Sequence, residues 1–119
     1  MTEKIFGGIE AGGTKFVCAV GSGPDNITDE ARFPTTIPSE TIGQGCDFFA
    51  PYLNQLHGIG LGSFGPFDVD PDSPTYGYIT TTPKPHWGNT NVLGMLRERI
   101  NLPFAVDMDV AVAGLGEAK

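Results

Sequence analysis

The residues best suited to chemistry form one short run, Gly8-Ile9-Glu10-Ala11-Gly12-Gly13-Thr14-Lys15. Two adjacent glycines let a backbone turn sharply and bring peptide N–H groups close to an anion. Thr14 adds a hydroxyl and Lys15 a cation, while Glu10 offers a carboxylate that suits magnesium held partly through water. The run is not a Walker loop, which needs Gly-Lys-Ser/Thr leading into a helix. Here Thr precedes Lys and a strand is expected to follow. The competing interpretation is a plain Gly-Gly hairpin turn, which is common.

A second candidate is Asp107-Met108-Asp109, where a strand is expected to hand over to a helix. Ligand sites in open α/β sheets gather at the carboxyl ends of strands. Alternation puts Asp107 and Asp109 on one side if both are still in the strand. One of them could accept a proton from a substrate hydroxyl; equally, Asp109 could be a simple helix N-cap.

Other runs imitate sites without completing them. Gly60-Leu61-Gly62-Ser63-Phe64-Gly65 fits a dinucleotide fingerprint, but Pro66, Phe67, Asp68 and Pro71 follow where a helix must open. Asp68, Asp70 and Asp72 resemble the start of a calcium loop, yet its sixth and twelfth positions hold Ser73 and Ile79 instead of Gly and Glu. These acids are expected on a solvated loop face. His57 and His86 have no second His or Cys at zinc spacing.

The elements needed to hold these residues are legible in outline. Lys4 to Ile9 predicts a first strand, Glu10 to Thr14 a turn, Lys15 to Gly21 a second strand and Ile27 to Phe33 a third. Ser39 is expected to cap a helix whose face carries Ile42, Cys46, Phe49, Leu53 and Leu56. Gly43, Gly45 and Pro51 oppose that helix and predict a kink or early end. His57 to Leu61 predicts a buried strand, and Tyr76 to Thr81 a strand or hairpin within a Pro/Gly-rich stretch. Asn89 or Asn91 is expected to cap a helix with Leu93, Leu96 and Ile100 inside. Phe104 to Met108 predicts a last strand, and Asp109 begins a last helix. A three-strand meander followed by alternating helix and strand implies a mixed sheet with helices packed on it.

Composition narrows the class further. The 119 residues suit one domain, and 14 acidic against 7 basic residues give a net charge of -7, which disfavours nucleic acid. The 17 glycines lie within apolar runs, unlike those of disordered linkers. Cys18 and Cys46 are too few for a disulfide scaffold, and Cys18 in FVCAVG is expected to be buried. No signal-peptide pattern or apolar run of ~18 residues is present, so a soluble cytoplasmic protein without membrane contact is expected.

Four segments together resemble the ROK family of sugar kinases, most closely its fructokinase branch: GGIEAGGTKFVCAVG, GIGLGSFGPFD, TTTPKPHWGN and VDMDVAVAGLGE, in the family's order over nearly the whole chain. The resemblance implies an α/β, actin-like (ribonuclease H-like) lobe with a mixed sheet flanked by helices. It implies ATP and magnesium bound between two lobes, and phosphoryl transfer to a hexose, most plausibly fructose to fructose 6-phosphate. Gly12, Gly13, Thr14 and Lys15 would then meet the ATP phosphates, and Glu10 the magnesium. Asp109 would be the catalytic base, and Gly65, Pro66 and Lys84 would lie near the sugar. The family also contains sugar-responsive repressors, so a regulator or a non-catalytic fragment is the alternative. Two departures stand out: Ala111 replaces an Asn usual two residues after the catalytic Asp, and Gly114 replaces an Ala. The chain is expected to be an N-terminal lobe, residues 1–119, ending within its last helix. The family's second phosphate, adenosine and zinc segments would lie beyond Lys119. An apolar cleft face left open in that way would favour a homodimer.

Overall fold

A computed structural model describes residues 4–23 and 26–107. Among these residues, seven strands and two α-helices follow one another as β1 (Ile5–Ala11), β2 (Lys15–Gly23), β3 (Asn26–Pro34), α1 (Pro38–Phe49), β4 (Leu56–Ser63), β5 (Tyr78–Ile79), β6 (Thr90–Asn91), α2 (Val92–Arg97) and β7 (Phe104–Asp107). Five strands form one sheet in the order β3-β2-β1-β4-β7. The meander β1-β2-β3 is antiparallel, whereas β1-β4 and β4-β7 are parallel. This is the mixed α/β sheet expected from the sequence, and it brings the carboxyl ends of β1, β4 and β7 together at one edge.

Alternation along β2 sorts its side chains. Phe16, Cys18 and Val20 join the main core with Ile42, Cys46 and Phe49 of α1, while Val17 and Ala19 form a separate buried pair. The period-2 strand and the 4-3 spacing of the helix meet on this face. Close packing depends on Gly7 of β1, where a Cβ would come within 2.8 Å of the Phe49 ring.

Several local expectations are corrected. Ser39 is not the cap of α1: Pro38 occupies the first turn, where its missing N–H leaves no bond unmade, and Ile37 precedes it without a side-chain cap. The polar work falls to Thr36 and Thr41 instead. The Thr36 N–H donates to Thr41 Oγ1 at 2.9 Å, and the Thr36 hydroxyl donates to the Glu40 carboxylate. The helix ends at Phe49 and tightens into a 3₁₀ turn, Ala50–Tyr52, which holds Pro51 as the early end anticipated. Leu56 is therefore not on the helix face; it opens β4. At the first corner, β1 continues through Glu10 to Ala11, so the turn is shorter than expected.

The Tyr76–Thr81 segment contracts to the two-residue β5, paired antiparallel with β6. Asn91, rather than Asn89, caps α2, accepting the Gly94 N–H at 2.8 Å. The long loop between β4 and α2 is fastened to the sheet by Trp87. Its buried ring lies 5.7 Å from each of the Phe16 and Phe64 rings, and its Nε1–H donates to the Thr36 carbonyl at 2.8 Å. No helix among the described residues is long and apolar enough to cross a membrane.

Candidate functional site

The β1-β2 corner opens into a cleft of about 530 Å³ at the carboxyl ends of β1 and β4. Glu10, Gly12, Gly13, Thr14 and Lys15 line it on one side, and Gly62, Ser63 and Phe64 on the other. Parallel pairing explains the convergence: Glu10 lies in register with Gly62, and Gly62 with Asp107. A residue at the end of β1 and one at the end of β7 thus flank the same glycine on β4. Glu10 of the glycine corner and Asp107 of the last-strand run thus lie one strand apart in the sheet, while Met108 and Asp109 lie outside the described residues.

The turn itself is held from beneath. The Gly12 N–H donates to the Lys15 carbonyl at 2.9 Å, closing the hairpin. Thr35 then fixes both sides of the turn, its hydroxyl donating to the Gly12 carbonyl at 2.7 Å and its N–H to the Thr14 carbonyl at 2.9 Å. The Gly13 and Thr14 N–H groups donate to no other group among the described residues. A turn whose two uncommitted N–H groups belong to residues lining an open cleft is suited to an anion. Gly12 is constrained by the fold, because a Cβ there would sit 2.7 Å from the Lys15 carbonyl oxygen. Gly13 is not: its Cβ would meet only the Phe64 ring, at 3.9 Å.

Glu10 and Lys15 are exposed, and neither side chain takes a hydrogen bond or ion pair among the described residues. No group of three or more His, Cys, Asp or Glu residues converges among the described residues. The corner therefore offers no all-protein cage. It offers one open carboxylate beside an anion-binding turn, the donor set with which magnesium is usually held in company with phosphates and water.

Gly65 and Pro66 follow directly from the cleft wall, joined by a cis peptide bond, but do not line the cleft. The Pro66 carbonyl accepts the Thr80 N–H at 2.9 Å, which ties this loop to the residue after β5. Lys84 lies farther along the same loop, half-buried, with its carbonyl accepting the Trp87 N–H at 3.3 Å. Asp109 lies outside the described residues.

The two imitations have structural explanations. After Gly65 the chain enters a bridge from Phe67 to Ile79 rather than a helix. Asp68 is occupied by its own loop, accepting from the Ser73 hydroxyl at 2.5 Å, the Thr75 hydroxyl at 2.6 Å and the Asp70 N–H at 3.0 Å. Those bonds hold its carboxyl below the usual carboxylate range. Sequence reasoning missed Thr35 and Trp87. Thr35 sits between Pro34 and Thr36, where no periodic pattern marks it, and the Trp87 to Thr36 bond spans 51 residues.

The ROK family model matches residues 6–119. The chain is 47% identical over 115 residues to a fructokinase of Streptococcus mutans serotype c, covering 97% of this chain and 39% of that protein. It is 47% identical over 114 residues to a fructokinase of Pediococcus pentosaceus, covering 96% of this chain and again 39% of the relative. The chain thus spans about two-fifths of the length of the curated relatives it matches. Among solved structures, a ROK family glucokinase from Streptomyces griseus in complex with glucose and AMPPNP superposes with a TM-score of 0.68 at 19% identity, over 87% of this chain and 32% of that one. A ROK family transcriptional regulator superposes with a TM-score of 0.61 at 16% identity, over 86% of this chain and 27% of its own. At these identities the superpositions show the fold, which kinase and regulator share.

Proposed function

The chain belongs to the ROK family, and from that membership we propose that it is the N-terminal lobe of an ATP-dependent hexose kinase acting on fructose. The observation that carries this reading is the β1-β2 corner, where two uncommitted N–H groups, a hydroxyl, a lysine and an open carboxylate share one cleft. The fructokinases that match almost all of this chain favour fructose over other hexoses as the substrate. The glucokinase fold with bound AMPPNP favours ATP as the phosphoryl donor.

In this reading Gly13 and Thr14 bind the ATP phosphates through their backbone N–H groups and the Thr14 hydroxyl, Gly12 lets the turn come close to them, and Lys15 adds positive charge at the mouth. Glu10 is the residue that would hold magnesium, whose contribution when bound is to offset negative charge on the phosphates. Gly65, Pro66 and Lys84 lie toward the sugar. Asp109 accepts the proton of the sugar hydroxyl as its oxygen bonds to the γ-phosphorus and the β-γ bridging P–O bond breaks, releasing ADP. Such transfers rest on positioning and charge neutralisation, to which a well-placed base adds ~10²–10⁴-fold.

The test is ATP-dependent phosphorylation of fructose, glucose and mannose, with Asp109→Asn as control. It is run on this chain and on one extended to the length of the curated relatives. Fructose turnover lost in the Asp109→Asn variant supports the assignment. An extended, folded chain that binds sugar yet transfers no phosphate would overturn it in favour of a sugar-responsive regulator.

A further inference from the structure

Thr35 is one of two buried polar residues among those described, 7% exposed, and both of its hydrogen-bond donors are spent on the glycine corner. Its hydroxyl holds the Gly12 carbonyl and its N–H holds the Thr14 carbonyl, so Gly13 is suspended between two fixed points. A trans peptide is planar, with C=O and N–H on opposite sides. Fixing the Gly12 carbonyl toward buried Thr35 therefore turns the Gly13 N–H away from the protein interior. Thr35 is itself immobilised by its neighbour. The Thr36 N–H donates to Thr41 Oγ1, which is fully buried in α1, and the Thr36 carbonyl accepts from the buried indole of Trp87. The β3-α1 connection is thus a strap anchored in the core at one residue and gripping the turn with the next.

We propose that Thr35 is a positioning residue for phosphate binding, setting the orientation of the Gly13 N–H without touching the nucleotide. The proposal rests on reading the corner as a phosphate site. Its test compares Thr35→Val, which keeps the shape and loses the hydroxyl, with Thr35→Ser, which keeps the hydroxyl. Three quantities are measured in the chain used for the phosphorylation assay: amide hydrogen exchange, direct MgATP binding, and the Michaelis constants for ATP and fructose.

In Thr35→Val, exchange at Gly12 and at residue 35, whose N–H groups donate to the Lys15 and Thr14 carbonyls, should accelerate about tenfold while Ile9 and Cys18 in the adjoining strands stay protected. MgATP affinity should fall about tenfold, with the fructose KM unchanged, and Thr35→Ser should restore both. Wild-type exchange and MgATP affinity in Thr35→Val would overturn the proposal, as would a Thr35→Ser variant that behaves like Thr35→Val. A chain that binds MgATP without transferring phosphate removes the kinase reading and leaves the Thr35 comparison to be decided by exchange and binding. A chain that binds no MgATP overturns both.

Discussion

Gly12 and Gly13 are adjacent and chemically identical, yet the structure gives them different reasons to lack a side chain. At Gly12 a methyl would press to 2.7 Å against the backbone oxygen that closes the hairpin. Gly12→Ala should therefore cost about 1–3 kcal/mol of stability, read as a lowered denaturant midpoint. At Gly13 a methyl has room, and its φ is not in the left-handed range. Gly13→Ala should leave stability within about 0.5 kcal/mol of wild type. The same methyl would stand in the cleft proposed to take the ATP phosphates, so MgATP affinity should drop about tenfold or more. If Gly13→Ala binds MgATP normally, the corner is a hairpin turn and nothing else.

Among the elements, α1 separates what could be read in the sequence from what could not. Its interior was legible, because Ile42, Cys46 and Phe49 recur at helical spacing and are all buried. Its entry was not, because the hydroxyl that matters comes from inside the helix. Thr41 reaches back to the Thr36 N–H, while Ser39, the apparent cap, is exposed. Ser39→Ala should be neutral to within about 0.5 kcal/mol. Thr41→Val should cost about 1–3 kcal/mol by stranding that N–H, and equal melting temperatures for the two variants would contradict the assignment. The strands were legible for a related reason: alternation is a local signal, and it marked β1 to β4 to within two residues at either end. The short β5 and β6 carry too few residues for any period. The candidate site was legible as residue types, but the strap that shapes it is a product of tertiary contact.

For the whole molecule, the core between sheet and helix makes stability depend on alkaline pH. Burial, with a smaller contribution from Cys46, pushes the Cys18 thiol from its ordinary 9.0 up to about 12. The folded chain therefore keeps a proton that the unfolded chain releases. The associated stability is fully present below about pH 9 and is lost as pH rises toward about 12, at no more than about 1.4 kcal/mol per pH unit. Denaturant unfolding of wild type and Cys18→Ala should differ by a constant amount between about pH 6 and about pH 8.5, with the gap closing above about pH 9. Parallel curves through pH 11 would mean that Cys18 reaches water in the folded state.

The indole that anchors the strap has another consequence. Trp87 is the chain's only tryptophan, and it is shielded from solvent at the junction of the β4-α2 loop, the Phe16 face of the sheet and the Thr36 carbonyl. Its ultraviolet emission therefore comes from a single, known place. A shift of that emission to longer wavelength would report the loosening of this junction, whether by unfolding or by a ligand that moves the strap. The protein carries a label-free optical probe bonded to the neighbour of the residue that grips its glycine turn.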